Sequence, residues 1–443
     1  MPVPGRFNRS LVPPSFAATS AISRRRLLKG TALAGAAIGA PGLLSACGGD
    51  DEGGDSGGTS VSFGMNEAGD IPAAQRLRGM ADAFAKTSDY TVKRNEVDHN
   101  TFQENINTYL QGNPDDVFTW FAGFRMNQFA EQQLIGDISD VWPIEGIDDS
   151  FKEASTASDG KQYFVPKDYY PWAVFYKKSV FKKNGYEVPE TLDDLTALCQ
   201  QMQSDDLVPI AFGDKDGWPA MGTFDILNMR INGFDYHMSL MAGEEEWDSA
   251  EVKEVFETWR SLMPYHQPDA LGRTWQEAAE SMGKGEAGMY LLGTFVVDAI
   301  AAEEADLDFF TFPEIDPAIG ADALDAPIDG FCMSAEPGNE EGAKELLRFL
   351  GTAEAADAGN NASDVPFIAA NTGADTSGYS PLQKKSVEIV SQAANIAQFL
   401  DRDTRADFAS TVIIPSLQTF IGNPDDIDGV TSNIQSQKES IFI

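Results

Sequence analysis

Residues 159–172 read "DGKQYFVPKDYYPW": alternating aromatic and apolar residues reach a proline, after which a Lys-Asp pair and three more aromatic rings follow. The pattern fits either a strand packed into a core on both faces or a segment that crosses a binding cleft with its rings facing a ligand. Period-two alternation puts Asp168, Tyr170 and Trp172 on one face. A buried carboxylate needs a partner, so Asp168 favours the cleft, whereas Trp172 fits both structures.

The chain on both sides of this stretch alternates predicted strands with predicted helices. Strands are expected at residues 60–67, 91–98, 115–123, 207–213, 286–293, 307–316 and 326–335, with a further strand and a short helix within 172–186. Helices are expected at about residues 72–86, 101–111, 128–139 and 189–203, and the tail from Pro381 to Phe442 is expected to be helical. This alternation predicts an α/β fold, and a length of 443 residues favours two lobes.

The amino-acid composition argues against some classes of binding partner. The formal net charge is −37, which argues against nucleic acid and anionic membrane surfaces, because both attract positive patches. Hydrophobic residues make up 42% of the chain, which is ample for a globular core. The acidity fits a salty habitat or simple solubility and does not identify a ligand.

The N-terminal segment has the features of a targeting sequence. "SRRRLLKG" (23–30) precedes the apolar "TALAGAAIGAPGLLSAC" (31–47), which is too short for a permanent membrane span and is broken by a proline. The arginine pair resembles a twin-arginine export signal, and "LSAC" resembles a lipobox that predicts lipidation of Cys47. Residues 1–46 are therefore expected to be a lipoprotein signal peptide and residues 47–59 a flexible tether. The mature protein would be anchored by lipid to the outer face of the cell membrane.

Catalytic and metal sites have little support in the sequence. His99, His237 and His266 lie far apart, lack metal-ligand spacing and are interpreted as surface or turn residues. With 69 acidic residues, carboxylate pairs of the kind used in glycoside hydrolysis arise by chance in any fold. Cys199 and Cys332 are expected to be buried free thiols, with a disulfide as the alternative. No cofactor or metal is expected.

A series of motifs occurs in the order expected of one known family. They are "NPDDVFTWFAG", "GKQYFVP", "VFYKKSVFKKNGYEVPETLDDL", "PIAFG", "MGKGEAGMYLLGTF", "APIDGFCMSA" and "NEEGAKELLRFL". In this order, the chain from about residue 60 resembles the extracellular sugar-binding proteins of ABC transporters, of the maltodextrin type. The resemblance implies a two-lobe periplasmic-binding-protein (type II) fold, with discontinuous lobes joined by hinge strands and the ligand held between them.

The resemblance also implies where the lobes divide. The first lobe is expected to comprise residues 60–167 and 328–370, and the second lobe residues 168–327 and 371–443. The chain would first cross between the lobes just after Pro166, within the stretch quoted above, and would return near Asp329. The implied partners are a carbohydrate ligand and the permease subunits of the transporter, and we expect a monomer.

The candidate ligand contacts follow from the chemistry of sugars, from the strand ends and from the resemblance, which implies contacts at Arg125, Tyr170 and Phe295. Sugars need flat rings for their C–H faces and polar side chains for their hydroxyls, and open α/β sheets present such groups just beyond the carboxyl ends of strands. The set is Glu67, Trp120, Arg125, Asp168, Tyr170, Trp172, Trp218, Phe295, Asp329 and Asp403.

The resemblance assigns roles to part of this set. Trp120, rather than Phe121, is expected to stack on the sugar, and Tyr170 is the preferred contact in the opening stretch. Phe295 stands where tryptophan is commoner in the family. Trp275 fits a helical core stripe and is interpreted as structural, and Asp403, beside Arg402, either closes the site or caps a helix.

The predicted function is capture of a sugar or oligosaccharide and its delivery to a membrane permease by hinge closure. One alternative is the same fold with another solute: a polyamine, a glycerophosphodiester or an iron complex. A secreted glycosidase is the alternative from another class. Release of reducing sugar from a glycan would distinguish the glycosidase from a binding protein.

Overall fold

The computed structural model describes residues 60–321 and 323–442. The predicted signal peptide, Cys47 and the tether lie outside these residues. The strands are β1 (Ser60–Met65), β2 (Thr91–Glu96), β3 (Val117–Phe121), β4 (Val165–Tyr169), β5 (Trp172–Lys177), β6 (Val208–Ile210), β7 (Ala287–Gly293), β8 (Leu307–Phe310), β9 (Ala323–Asp325), β10 (Ile328–Met333) and β11 (Asn395–Ala397).

Helices connect and cover these strands. They are α1 (Pro72–Thr87), α2 (His99–Gln111), α3 (Phe124–Glu131), α4 (Asp149–Ala154), α5 (Lys178–Asn184), α6 (Leu192–Ser204), α7 (Pro219–Ile231), α8 (Phe234–Met241), α9 (Ala250–Leu262), α10 (Trp275–Gly283), α11 (Val296–Ala299), α12 (Glu340–Leu350), α13 (Ala353–Asn361), α14 (Pro381–Gln392), α15 (Leu400–Asp403), α16 (Ala406–Phe408), α17 (Ile414–Gly422) and α18 (Ile427–Ile441).

The first sheet has the strand order β2-β1-β3-β10-β4. Strands β1, β2 and β3 are parallel, and β10 runs antiparallel to β3 and β4. In β10, Phe331 and Met333 belong to a core cluster with Val61 of β1, whereas Cys332 belongs to a second cluster with Phe118 of β3. The alternation of side chains along β10 therefore buries both faces of this sheet.

The second sheet has the order β6-β7-β5-β8, in which β5 is antiparallel to β7 and β8. Helix α6 begins with the expected capping box, in which the Thr191 and Asp194 side chains each accept from the other residue's backbone N–H. Strands β9 and β11 form a separate parallel pair. The architecture of helices around two main sheets confirms the predicted α/β class.

The opening stretch joins the two main sheets. Tyr169 still pairs with Ile328 of β10 in the first sheet, and Trp172 already pairs with Gly293 of β7 in the second. The chain therefore crosses at Tyr170 and Pro171, a few residues later than the expected point just after Pro166. Pro166 does not end the strand, because it lies on the outer strand of its sheet, where a missing N–H is tolerated.

Three other details of the chain bear on the predictions. The helix expected over 128–139 ends at Glu131 in α3, because Gln133 takes a left-handed backbone conformation with φ 58°. The tail is helical as expected except for β11. Cys199 and Cys332 are both buried and free, which confirms the preferred interpretation.

Candidate functional site

A cavity of about 310 Å³ lies between the two main sheets. From the first sheet it is lined by residues beyond the ends of β1 and β3 and at the start of β10, and these ends share one edge because β10 is antiparallel to β3. From the second sheet it is lined by Trp172 at the start of β5 and Phe295 just after β7. The cavity therefore lies where binding sites of open α/β sheets are expected, just beyond the strand ends.

The structure brings together nearly all the predicted site residues. Those that line the cavity are Glu67, Trp120, Arg125, Asp168, Tyr170, Trp172, Trp218, Phe295 and Asp329. Asp403 does not line it. Its Oδ2 accepts backbone N–H groups from Gln398 at 2.7 Å and Phe399 at 3.1 Å, so it holds the turn that leads into α15.

Aromatic rings form the second-sheet side of the cavity. Phe295 lies at their centre, with its ring centroid 5.2 Å from those of Tyr170 and Trp275 and 5.9 Å from that of Trp218. Trp275, interpreted as structural, packs in the core and also lines the cavity. Edge-to-face packing holds these rings at fixed angles, so they present a rigid apolar surface.

Phe121 and Trp120 both line the first-sheet side, although only Trp120 was expected there. Trp120 is 1% exposed, so its ring is mostly core. The guanidinium of Arg125 lies 4.7 Å from the Trp120 ring and 4.9 Å from the Phe121 ring, and that of Arg402 lies 4.4 Å from the Phe121 ring. Two cations thus cover these rings in the structure.

Arg402 connects three separate parts of the chain at this site. It donates to Asp329 Oδ1 at 2.9 Å, to the Tyr170 hydroxyl at 3.0 Å and to the backbone oxygen of Ile328 at 3.0 Å. Its side chain is only 6% exposed. Because these bonds are charge-assisted and largely shielded from water, they fix the orientation of the Tyr170 and Asp329 side chains.

His99 also lines the cavity, contrary to its interpretation as a surface or turn residue. Its Nδ1 lies 2.8 Å from Glu67 Oε1, and its Nε2 lies 2.7 Å from Gln103 Nε2. Burial opposes the charged ring, but the nearby carboxylates, Glu67 first and then Asp329 and Asp98, together raise the pKa of His99. His237 differs as well, since it is fully buried in α8, where burial lowers its pKa to about 3.

Several polar atoms of the lining have no partner within the described protein. They include Asp168 Oδ1, Asp401 Oδ1, Gln276 Oε1, Arg76 Nε, Arg402 Nε and the indole nitrogens of Trp172, Trp218 and Trp275. Burial raises the pKa of Asp168 to about 6, although Lys167 at 2.9 Å opposes this. Buried polar atoms normally find a partner, so this set of donors and acceptors fits a ligand with several hydroxyls.

Among the charged lining residues that the sequence analysis did not identify are Arg76 on α1 and Asp298 on α11, which form an ion pair. Neither follows a strand directly, and no local pattern marks them. His99 could have been found, because it follows β2 by three residues. Within residues 60–321 and 323–442 there is no cluster of acidic, histidine and cysteine side chains that could hold a metal, and no helix apolar and long enough to span a membrane.

Two buried carboxyl groups behind the site lead to a prediction about pH. Burial raises the pKa of Asp214, which precedes the Trp218 loop, and that of Asp403 to about 7 each. In the folded state these groups keep their protons at pH values where the unfolded chain has lost them. The stability that these two groups contribute should therefore be fully present below about pH 4, decline as pH rises, and be lost above about pH 7.

Urea unfolding at pH 5 and pH 7.5 tests this. Asp214→Asn and Asp403→Asn should each remove at least about 1.4 kcal/mol of the difference between the two pH values, the equivalent of one pKa unit. Asp364→Asn, at an exposed position, is the matched control and should leave the difference unchanged. Variants with the parent's pH dependence would show that these groups are ionised in the folded protein.

Comparison with known proteins identifies the family. The family described as bacterial extracellular solute-binding protein matches residues 79–388, more than half of the chain. Among solved structures, the bacterial solute receptor AcbH is 44% identical, with a TM-score of 0.84, over 87% of this chain and 100% of its own. AcbH is described as having an exclusive substrate preference for β-D-galactopyranose.

Curated relatives agree with this family. An uncharacterised ABC transporter extracellular-binding protein of Pyrococcus horikoshii is 26% identical over 74% of this chain and 72% of its own length. A probable sugar-binding periplasmic protein of Mesorhizobium japonicum is 24% identical over 44% of this chain and 49% of its own. These matches confirm the predicted resemblance and agree with the expected extracytoplasmic location. The chain belongs to the bacterial extracellular solute-binding proteins.

Proposed function

We propose that this protein captures a sugar in the cavity between its two sheets and delivers it to the permease of an ABC importer. The observation that carries the proposal is the combination of a rigid aromatic surface with buried, unpartnered hydrogen-bonding atoms in one cavity. Aromatic rings match the C–H faces of a pyranose, and the carboxylate oxygens and indole N–H groups match its hydroxyls. Binding rather than catalysis fits this arrangement and the family.

The preferred ligand is a single pyranose, with galactose first among the candidates. The similarity to AcbH supports galactose, since its 44% identity extends over most of the chain. The cavity also supports a small ligand, because contacts between residues from the two sheet regions flank it. Asn100 on α2 donates to Asp216, in the loop after β6, at 3.0 Å, and Arg76 pairs with Asp298.

The mechanism we propose is closure of two lobes around the ligand. The proposed lobes keep the expected bounds, residues 60–167 with 328–370 and 168–327 with 371–443, except that the first crossing moves to Tyr170 and Pro171. Asp168 and Tyr169 therefore belong to the first lobe. A sugar that touches the aromatic surface of one lobe and Glu67 or Asp168 of the other favours the closed state through contacts that an open state lacks. The permease would then recognise the closed form.

The N-terminal segment completes the proposal. We infer a twin-arginine-type lipoprotein signal over residues 1–46, lipidation at Cys47 and a tether to residue 59. A tether rich in glycine and acidic residues would let a monomeric binding protein reach the permease from the outer face of the membrane. Incorporation of labelled fatty acid that is lost in Cys47→Ala tests the anchor.

Calorimetry with a panel of solutes tests the binding function. The panel contains galactose, glucose, xylose, lactose and maltose, with spermidine and glycerol 3-phosphate representing the other solute classes. We expect a monosaccharide to bind the parent, and Asp168→Asn to weaken its binding at least about tenfold, because a charged, buried acceptor for a ligand hydroxyl becomes a neutral amide with only one acceptor oxygen.

Asp364→Asn, an exposed substitution of the same chemistry, should bind like the parent. Binding of spermidine or glycerol 3-phosphate with no response to any sugar would contradict the proposal. So would equal sugar affinity in the parent and Asp168→Asn, since the cavity would then not hold the ligand.

A further inference from the structure

A second, smaller cavity of about 50 Å³ lies beside the main one. The two cavities share part of their lining, including Arg76, Asp168, Tyr170, Phe295 and Asp298. On its far side the small cavity is lined by Thr294, Glu304, Gln383 and the 365–368 segment. Arg76 and Asp298 therefore lie between the two spaces.

The Arg76–Asp298 ion pair is a two-pronged contact between distant parts of the chain. Arg76 Nη1 and Nη2 donate to Asp298 Oδ1 and Oδ2, each at 3.0 Å, from α1 beside the first sheet to α11 after β7 of the second. Arg76 Nη1 also donates to the backbone oxygen of Val365 at 2.8 Å. The two side chains are 9% and 12% exposed, so the pair is largely shielded from water.

We propose that this ion pair is a specificity gate that closes one end of the sugar site. The inference rests on the proposed function. A pyranose bound in the main cavity directs one of its ring positions toward Arg76 and Asp298. An unsubstituted hydroxyl there leaves the pair intact, whereas a larger substituent must separate two buried, hydrogen-bonded charges before it enters the small cavity.

The loss of affinity for a substituted sugar depends on the cost of separating the buried Arg76–Asp298 ion pair. Breaking a buried ion pair by removing one partner is strongly unfavourable, because it leaves the other charge without compensation. The gate should therefore reject a sugar substituted at the facing position by on the order of 100-fold or more relative to the unsubstituted sugar. Substitution at positions that face the open mouth of the cavity should cost much less.

The double variant Arg76→Met/Asp298→Asn tests the gate, because it removes both charges and leaves neither buried alone. Calorimetry measures the affinity of the preferred monosaccharide and of its mono-O-methyl derivatives, one for each hydroxyl. The affinity of the unsubstituted sugar divided by that of a derivative is the rejection ratio for that ring position. In the parent, at least one position should be rejected by about 100-fold, and in the double variant that ratio should fall below about tenfold. Arg78→Met, which removes an arginine of the same helix paired with Glu96 within the first sheet region, should keep the parent's ratios.

The experiment separates the gate from its alternatives. If the double variant bound the sugar and all of its derivatives more weakly by the same factor, the pair would be a contact that supports lobe closure in general. That result would overturn the gate. A parent that accepts methyl groups at all positions would also overturn it, while leaving the sugar-binding function in place. A parent that binds no sugar would refute the proposed function and the gate together.

Discussion

Replacement of Arg402 with methionine is expected to weaken sugar binding strongly and to destabilise the protein by about 3–5 kcal/mol, the usual cost of breaking a buried ion pair from one side. Methionine retains much of the apolar length of arginine but none of its donors. Asp329, the Tyr170 hydroxyl and the Ile328 carbonyl would each lose a hydrogen bond. Since Tyr170 and Asp329 line the cavity, affinity should fall at least about 100-fold.

Urea unfolding and calorimetry measure the two effects separately. The double variant Arg402→Met/Asp329→Asn removes the uncompensated charge, so it should regain part of the lost stability without regaining binding. Recovery of stability without recovery of affinity would show that Arg402→Met loses binding because the site has changed, and not because the protein has unfolded.

Arg405→Met is the matched control. Arg405 lies three positions further along the chain, and its ion pair with Asp407 is much more exposed, with side chains 31% and 43% accessible. Exposed pairs contribute up to about 1 kcal/mol, so this variant should stay within that range and bind like the parent. An Arg402→Met protein with parental stability and affinity would show that Tyr170 and Asp329 hold their positions without it.

Several residues of this site could be predicted from the sequence because their positions depend on local features of the chain. Alternation along one strand put Asp168, Tyr170 and Trp172 on one face, and the structure places all three at the cavity. The expectation that site residues lie just beyond strand ends found Glu67 after β1, whereas Phe295, which lies just after β7, came from the family resemblance. The inferences from alternation and from the end of β1 needed only the period of a strand and the position where it stops, whereas Phe295 and the preference for Tyr170 needed the resemblance.

The parts that it missed depend on contacts between distant segments. Arg76 and Asp298, which were not identified, are 222 positions apart. Asp329 was in the predicted set and Arg402 was named beside Asp403, but their pairing across 73 positions was not foreseen. No local pattern distinguishes such charges from solvated ones in a chain with 69 acidic residues. The crossing point was displaced for a related reason: the proline signal at Pro166 is local, whereas the pairing of Asp168 and Tyr169 with β10 depends on a strand 160 residues further along.

Gly222→Ala is the other substitution expected to have a large effect on stability and affinity. It should destabilise the protein, although replacing glycine with alanine inside a helix usually has the opposite effect. Alanine normally stabilises a helix interior by about 1 kcal/mol relative to glycine. Gly222 lies in α7 against the Trp172 ring, and an added Cβ would lie 2.5 Å from Cε3 and 2.7 Å from Cη2 of that ring. The ring is 2% exposed and stacked on Phe399 at 4.9 Å, so it has little room within the core.

We therefore expect Gly222→Ala to lose about 1–3 kcal/mol of stability through overpacking. Because Trp172 lines the cavity, displacement of its ring toward that space should also weaken sugar binding by more than about tenfold. Thermal unfolding and calorimetry measure both effects. Adding Trp172→Phe, which removes part of the bulk opposite the new methyl group, should restore stability without restoring affinity.

Gly422→Ala provides the matched control, because Gly422 ends helix α17 and an added Cβ would meet only Leu271 Cδ1 at 3.7 Å. That variant should be neutral or slightly stabilised and should bind sugar like the parent. If Gly222→Ala behaved in the same way, the close approach of α7 to Trp172 would not be what holds the ring at the edge of the cavity. A loss of affinity confined to Gly222→Ala would instead link helix packing in the second sheet region directly to the shape of the ligand site.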